Sequence, residues 1–346
     1  MKILSFETSC DETSIALIEG KGGFQKPQFK IIKEIVSSQI KIHQPFGGIV
    51  PNLAKREHQK NLPFIFKKIF GELKPKKMPI DLLAVTIGPG LSPCLWQGIN
   101  FSKEISCHYK IPLMGINHLE GHIFSLFLQK KFSFKFPCLT LIVSGGHTEI
   151  VLIKDWFKYK VIGRTRDDAL GEAFDKIGRL LGIDYPAGPE IEKRAKKGKI
   201  EYSFPSPMIK QKNFDFSFAG LKTAVFYQYL KEGQKSDNLS EEKINNYCAS
   251  FQKAAFEVIL EKTLKAATCF KTKQLILTGG VSANRTLRKE FEKRIKERKL
   301  KIDFFAPQLK YSTDNATMIG IVAYFRNLKE KAKICPKISA KPDLGL

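Results

Sequence analysis

The chain has 346 residues, 43% hydrophobic and 27% charged, the balance of a globular protein that buries a sizeable core in one large or two medium domains. Its outlying property is charge. Fifty-eight Lys and Arg against 34 Asp and Glu leave a formal +24, a field that favours polyanions, although a lysine-rich source organism produces the same excess.

No apolar run approaches the roughly 18 residues of a membrane span. The N-terminal "MKILSFETSCDE" meets Glu7 too soon for a signal peptide. Seven scattered cysteines without a C-x-x-C pair fit reduced thiols. A cytoplasmic protein with no membrane association is expected.

In chain order, "KILSFETSCDETSIALIE" (2–19) reads as two β-rich runs around a polar tip, a hairpin. Asp11 and Glu12 in that tip would repel phosphate directly, so they fit holding a cation or orienting a reactant. "DLLAVTIGPG" (81–90) reads as a buried strand ending in a Gly-Pro-Gly turn. A predicted helix over 95–110 and a short strand over 111–117 follow. This order argues for an α/β fold with parallel strands.

"NHLEGHIF" (117–124) places His118 and His122 at i and i+4, on one face of a helix, where their ring nitrogens can converge on one ion. A zinc protease needs H-E-x-x-H. Here Leu119 holds the place of the glutamate, and Glu120 projects about 200° away around the helix. The protease arrangement is excluded. Two readings stay open: a metal pair, or ordinary surface or core histidines. A further ligand has to come from elsewhere, and "YSTDNATMIG" (311–320) offers Asp314, 192 residues beyond His122.

"CLTLIVSGGHTEIVLIK" (138–154) repeats the hairpin pattern about 135 residues after its first occurrence, as a duplicated architecture with a cleft between the halves would. The segment from about 165 to 270 reads as mostly helical. "DDALGEAFDKIGRLLG" has a capping Asp and helical spacing of Leu170, Phe174, Ile177 and Leu181. Asp175 and Glu192 are candidates to bind ribose hydroxyls, and Gly188 permits close backbone approach. The plainer reading makes the acids helix N-terminal charges and the Gly-Pro run a helix breaker. "KEGQKSDNLSEEK" (231–243) reads as a polar surface loop whose "SEEK" starts a long amphipathic helix. In "RTLRKEFEKRIKERK" Leu287, Phe291 and Ile295 share one face; the charges opposite belong to a solvated helix or to a polyanion-binding surface.

Three small-residue turns, 7–14, 144–148 and 279–285, each follow a strand and can bring backbone N–H groups close to an anion. None matches the P-loop or the dinucleotide fingerprint. Together they favour a nucleotide held between two lobes.

The ordered set "FETSCDETS", "GPGL", "NHLEGH", "VSGGHTE", "DDALGEAFDKIGRLLG", "YPAGP", "FSFAGLKTA", "GGVSANR" and "STDNATMIG" resembles the TsaD/Kae1 family from residue 2 to about 322. The resemblance implies an α/β fold of two related lobes of the actin/Hsp70/sugar-kinase type. The lobes would be 1–134 and 135–325, with a helical insertion at about 165–270 and a segment 326–346 packing back on the first lobe. It implies transfer of threonylcarbamoyl from threonylcarbamoyl-AMP to N6 of adenosine 37 in tRNAs that read codons beginning with A. An ATPase or small-molecule kinase of the same fold without tRNA chemistry is the alternative, and it leaves the histidine pair unexplained.

By matching position, His118, His122 and Asp314 resemble the family's ligands for one divalent metal, Fe(2+) or Zn(2+). Ile142, Val143, Ser144, Gly145 and Gly146 match its substrate-phosphate turn, and Asp175, Gly188, Glu192 and Asn284 its remaining nucleotide contacts. Asp11 and Glu12 match a reactive first-lobe turn, and His147 beside the phosphate turn is a candidate proton relay. The implied partners are tRNA, a TsaB-like actin-fold subunit, a TsaE-like ATPase and, upstream, a TsaC/Sua5-type enzyme. One departure is "SPCLWQG" (92–98), where the family usually has small residues and a Val-Gly pair; it bears on helix geometry and on the fit of the partner subunit.

Overall fold

The first hairpin forms where its alternation predicts. β1 (Lys2–Glu7) pairs antiparallel with β2 (Glu12–Lys21), and β2 with β3 (Gln28–Ser38). The structure is a computed structural model describing residues 1–71, 78–129, 132–233 and 239–346. After β3 come α1 (Ile40–His43), α2 (Pro51–Phe70), β4 (Leu82–Gly88), α3 (Ser92–Tyr109), β5 (Leu113–Asn117) and α4 (His118–Phe124). β1 to β5 form one sheet in the order β3-β2-β1-β4-β5, with β1, β4 and β5 parallel. Central strands covered on both faces read as near-continuous apolar runs, and β4 is buried at six of its seven positions. α3 starts three residues before the expected 95, because Pro93 sits in its first turn, where the missing N–H has no helical partner to lose.

A second sheet repeats the first. β6 (Cys138–Val143), β7 (Thr148–Asp155) and β8 (Lys158–Arg164) run antiparallel. The helices α5 (Leu170–Leu180), α6 (Gly188–Ala195), α7 (Ala219–Gly233) and α8 (Glu241–Cys269) precede β9 (Gln274–Thr278), α9 (Arg285–Glu297) and β10 (Asp303–Phe305). The order β10-β9-β6-β7-β8, with β9 parallel to β6 and β10, is the order of the first sheet with each strand replaced by its later counterpart. The expected apolar faces are buried: Leu170, Phe174 and Ile177 of α5 and its C-cap residue Leu181 join Leu287, Phe291 and Ile295 of α9 in one core.

The capping Asp expected for α5 is corrected. Its N-cap residue Ala169 offers no side chain, and the Leu170 N–H donates instead to Thr148 Oγ1 at 2.8 Å. Asp167 accepts from the N–H groups of Phe218 (2.7 Å) and Ala219 (3.2 Å), so it serves the start of α7. The capping signal of α8 holds, with Ser240 Oγ accepting from the Lys243 N–H. The polar loop expected over 231–243 lies in part outside the described residues.

The chain divides into two units, residues 1–133 with 307–346, and residues 134–306. The return to the first unit therefore comes at 307, earlier than the expected 326. Its cause is α10 (Ala316–Lys329), whose first residue is tied to the first sheet: Ser5 Oγ donates to the Ala316 carbonyl at 2.6 Å, and the Ala316 N–H donates to Ser14 Oγ at 3.0 Å.

The last residues lie along the same unit. A disulfide joins Cys107 of α3 to Cys335, with Cα atoms 5.1 Å apart. The Lys341 N–H donates to the Ile87 carbonyl, and Asn117 Nδ2 to the Gly345 carbonyl at 2.9 Å. The expectation of reduced cysteines is corrected for this pair, which meets only because a tail 228 residues away folds back. Among the described residues no helix is long and apolar enough to cross a membrane.

Candidate metal centre and nucleotide turn

The histidine pair sits on α4, whose N-cap residue Asn117 accepts the Leu119 N–H through Oδ1 at 2.8 Å. Both imidazoles are nearly buried, with ring centroids 4.7 Å apart. Between them lies Gly121. A Cβ there would stand 2.9 Å from Met318 Cγ of α10, so the missing side chain lets α4 and α10 approach closely. That approach delivers Asp314, just before α10. Its Oδ1 is 3.4 Å from His118 Nε2 and 3.3 Å from His122 Nε2. The three donor atoms lie within 4.8 Å of one another.

The donor set fits a divalent cation. Two ligands at about 2.0–2.2 Å from a tetrahedral ion stand about 3.3–3.6 Å apart, the spacing of Asp314 from each imidazole. His118 is also oriented from behind: its Nδ1 is 3.0 Å from Glu7 Oε2 and 3.2 Å from Ser9 Oγ. A carboxylate only accepts, so Nδ1 carries the proton toward Glu7 and Nε2 faces Asp314 with its lone pair when an ion is bound. Burial works against charge on His118, but Asp314 and Glu7 outweigh it and hold the imidazole well above its ordinary pKa. Burial likewise opposes the Asp314 charge, and His118 and His122 override it and keep the carboxyl far below the usual range. The pocket thus concentrates negative charge that either protons or a metal must offset.

Glu7 was not singled out by sequence reasoning. It is fully buried, and besides His118 it accepts Thr86 Oγ1–H and the Ser9 N–H, each at 2.6 Å. The available signal was a carboxylate ending a strand whose other positions from Ile3 onward are all buried.

Glu120 is not at the metal set. Buried on α4, it takes both forks of Arg326 from α10, with Nε to Oε2 at 2.8 Å. Asp11 and Glu12 flank the same acidic pocket. Burial raises both carboxyls, and Asp314 raises them further, most strongly Glu12.

The second unit carries the other predicted residues. Ile142 and Val143 end β6, and Ser144 turns the chain: its N–H donates to the His147 carbonyl at 2.8 Å, while the His147 N–H donates to Ser144 Oγ at 3.0 Å. His147 therefore closes the turn through its backbone. Gly145 and Gly146 are exposed, and a Cβ on either would meet nothing within 4 Å, so open space lies over the backbone there. Gly279 (φ 89°) packs against this turn; a Cβ on it would stand 2.4 Å from the Val143 carbonyl oxygen.

Asn284 caps α9 through Oδ1 and donates from Nδ2 to Gln252 at 3.1 Å. Asp175 Oδ1 accepts the Ala187 N–H at 2.8 Å, just before Gly188 opens α6. Glu192 Oε1 accepts from the Thr286 N–H and hydroxyl, 3.1 and 3.2 Å away. The fold brings together the 142–147 turn, the 279–284 loop and the starts of α5 and α6. Asp175 and Glu192 brace these segments.

The solved structures place the fold. Full-length HypF in its phosphate- and nucleotide-bound form matches 96% of this chain with a TM-score of 0.60 at 12% identity, and the chain spans 56% of that protein. HypF of T. kodakarensis matches 95% of this chain with a TM-score of 0.56 at 14% identity, and the chain spans about half of it, 48%. The doubled sheet is thus an α/β fold of the actin/Hsp70/sugar-kinase type.

The sequence comparisons reach further. The family described as "TsaD: tRNA N6-adenosine threonylcarbamoyltransferase" matches residues 30–321. A tRNA N6-adenosine threonylcarbamoyltransferase of Thermosipho africanus is 45% identical over 325 residues, 94% of each chain. One of Kosmotoga olearia is 42% identical over 96% of this chain and 94% of its own, and one of Endomicrobium trichonymphae is 42% identical over 100% and 98%. A His/His/Asp group able to hold a metal, a glycine turn and likeness along nearly the whole length thus converge, and the chain belongs to the TsaD family of tRNA N6-adenosine threonylcarbamoyltransferases, enzymes of t6A synthesis.

Proposed function

We propose that this enzyme uses threonylcarbamoyl-AMP as its donor, with one divalent cation, Fe(2+) or Zn(2+), on His118, His122 and Asp314. The observation that carries the reading is the convergence of these three donors, backed by Glu7, within 4.8 Å. When bound, the cation supplies a Lewis acid and template for the threonylcarbamoyl oxygens.

The remaining work falls to the chain. The N6 amine of adenosine attacks the carbamoyl carbon, the C–O bond to the phosphate breaks, and AMP leaves. The Ile142–Gly146 turn holds the departing phosphate, with the N–H groups of Gly145 and Gly146 at its open tip as donors. Asp175, Gly188, Glu192 and Asn284 hold the nucleoside. Glu12, made more basic than an ordinary carboxylate by its burial, takes the N6 proton, Asp11 orients it, and His147 relays protons beside the phosphate.

The positive chain, +24 in total, suits tRNA as the other substrate. Half-exposed Trp96 and exposed Phe64 offer apolar contacts to a TsaB-like subunit; a TsaE-like ATPase and an upstream TsaC-type enzyme complete a cytoplasmic pathway. The test is nucleoside analysis of tRNA incubated with threonine, bicarbonate, ATP, this protein and the partner proteins, beside metal analysis of anaerobically purified protein. Threonylcarbamoyladenosine and about one metal per chain are expected, with both lost in Asp314→Ala. Full activity in a metal-free Asp314→Ala protein overturns the metal reading.

A further inference from the structure

Next to the Cys10–Glu12 tip runs a buried chain of polar side chains that the metal centre does not use. The Val50 N–H donates to His43 Nδ1 at 3.3 Å, so His43 carries its proton on Nε2, which donates to Gln39 Oε1 at 3.1 Å. That fixes the Gln39 amide, whose Nε2 faces His58 Nδ1 at 3.4 Å. Thr13 Oγ1 also meets His58 Nδ1, at 2.8 Å, and His58 Nε2 meets the Cys10 carbonyl at 3.0 Å.

A carbonyl only accepts, so His58 is the Nε2–H tautomer and its Nδ1 is the acceptor of both other contacts. Every direction in the chain is thereby assigned. The Gln39 N–H adds a bond to the Asp11 carbonyl at 3.0 Å, so two successive carbonyls of the tip are held. Thr13, Gln39, His43 and His58 are all fully buried.

Packing alone does not account for a histidine here. On α2, His58 occupies the buried stripe otherwise made of Ala54, Leu62 and Ile65, where an apolar side chain would fill the position without a polar partner to satisfy. A buried, fully paired network of this kind fixes one geometry. Its output is the backbone that carries Asp11 and Glu12.

We propose that His58 is a positioning residue for the transfer reaction: by holding the Cys10 carbonyl, with the Gln39 N–H on the next carbonyl, it sets where the Asp11 and Glu12 carboxylates stand. This rests on the reading that those carboxylates take part in the reaction.

The test uses the full chain with threonylcarbamoyl-AMP, tRNA and the partner proteins. The amide nitrogen of Gln reaches the place of Nε2, whereas that of Asn reaches only the place of Nδ1. Misplacement by about 1 Å costs on the order of 100-fold, so His58→Asn is expected to lose about 10- to 100-fold in kcat with KM for tRNA within about twofold. His58→Gln stays within about threefold of wild type. The 15N spectrum of the wild-type protein shows His58 protonated at Nε2.

Equal losses in both variants, an unchanged kcat in His58→Asn, or an Nδ1–H tautomer overturns the proposal. Glu12→Gln is measured beside them. A wild-type rate in Glu12→Gln with His58→Asn still slow removes Glu12 as the base and leaves positioning to act through Asp11. A slow Glu12→Gln with a fully active His58→Asn removes His58 alone.

Discussion

His118 has two nitrogens with two tasks, and Glu7 separates them. By fixing the proton on Nδ1 at 3.0 Å, Glu7 leaves Nε2 to a cation and raises the basicity of the ring. Glu7→Gln is expected to weaken metal binding about 10- to 100-fold, the usual effect of losing such a partner, measured by competition with a chelator of known affinity. Glu120 provides the contrast one helical face away. Glu120→Ala breaks its pair with Arg326 and should cost about 1–3 kcal/mol of stability in urea unfolding, while metal content stays unchanged.

The histidine pair was legible because i, i+4 spacing is a local property, and Leu119 alone was enough to exclude the protease geometry. Glu7 was not legible, because its role depends on a partner 111 residues away. Asp175 and Glu192 show the reverse case. Their plainer, structural reading is visible in the bonds to Ala187 and Thr286, while a ligand role leaves no trace in the chain's own contacts.

At the scale of elements, the hairpins and amphipathic helices follow from periodicity, and the errors lie at their ends. Asp167 caps α7 instead of α5 because Thr148, on a neighbouring strand, already meets the Leu170 N–H. Its neighbour Asp168 ties helices together, with Lys176 of α5 at 2.6 Å and Lys222 of α7 at 2.7 Å. Burial opposes its charge, but the two lysines win and lower its pKa.

A carboxyl with a lowered folded pKa stabilises above its unfolded value and loses that contribution as pH falls through the folded value. Asp168→Asn is therefore expected to cost about 1–2 kcal/mol at neutral pH. The difference from wild type should shrink once pH drops below about 4, as read from paired urea unfolding curves. A penalty that persists unchanged in acid would point to packing.

At the scale of the whole molecule, two sheets of identical strand order stand in one chain, and the second unit is an insertion within the first. The duplication was legible in the two hairpins. The boundary at 307 was not, since it depends on α10 docking against β1 and β2. The tail beyond α10 reaches Asn117, the residue that caps α4, through the Gly345 carbonyl. A chain ending at Glu330 is expected to melt several degrees lower, about the shift of 1–2 kcal/mol, and to release metal faster to a chelator. Unchanged release would separate the tail from α4.

Asp314 closes a circuit that begins at His122 and runs through all of residues 134–306. The order of synthesis gives this a consequence. A ribosome emits the histidine pair early and the aspartate only after the entire inserted unit. With His118, His122 and Asp314 as the ligand set, the two imidazoles would have no third donor during translation, and a nascent chain would hold metal weakly or not at all. Tight loading waits until the last element of the first unit has emerged and docked. An ion on these three residues would therefore report that the inserted unit had been made and that the chain had been read past Asp314 and docked.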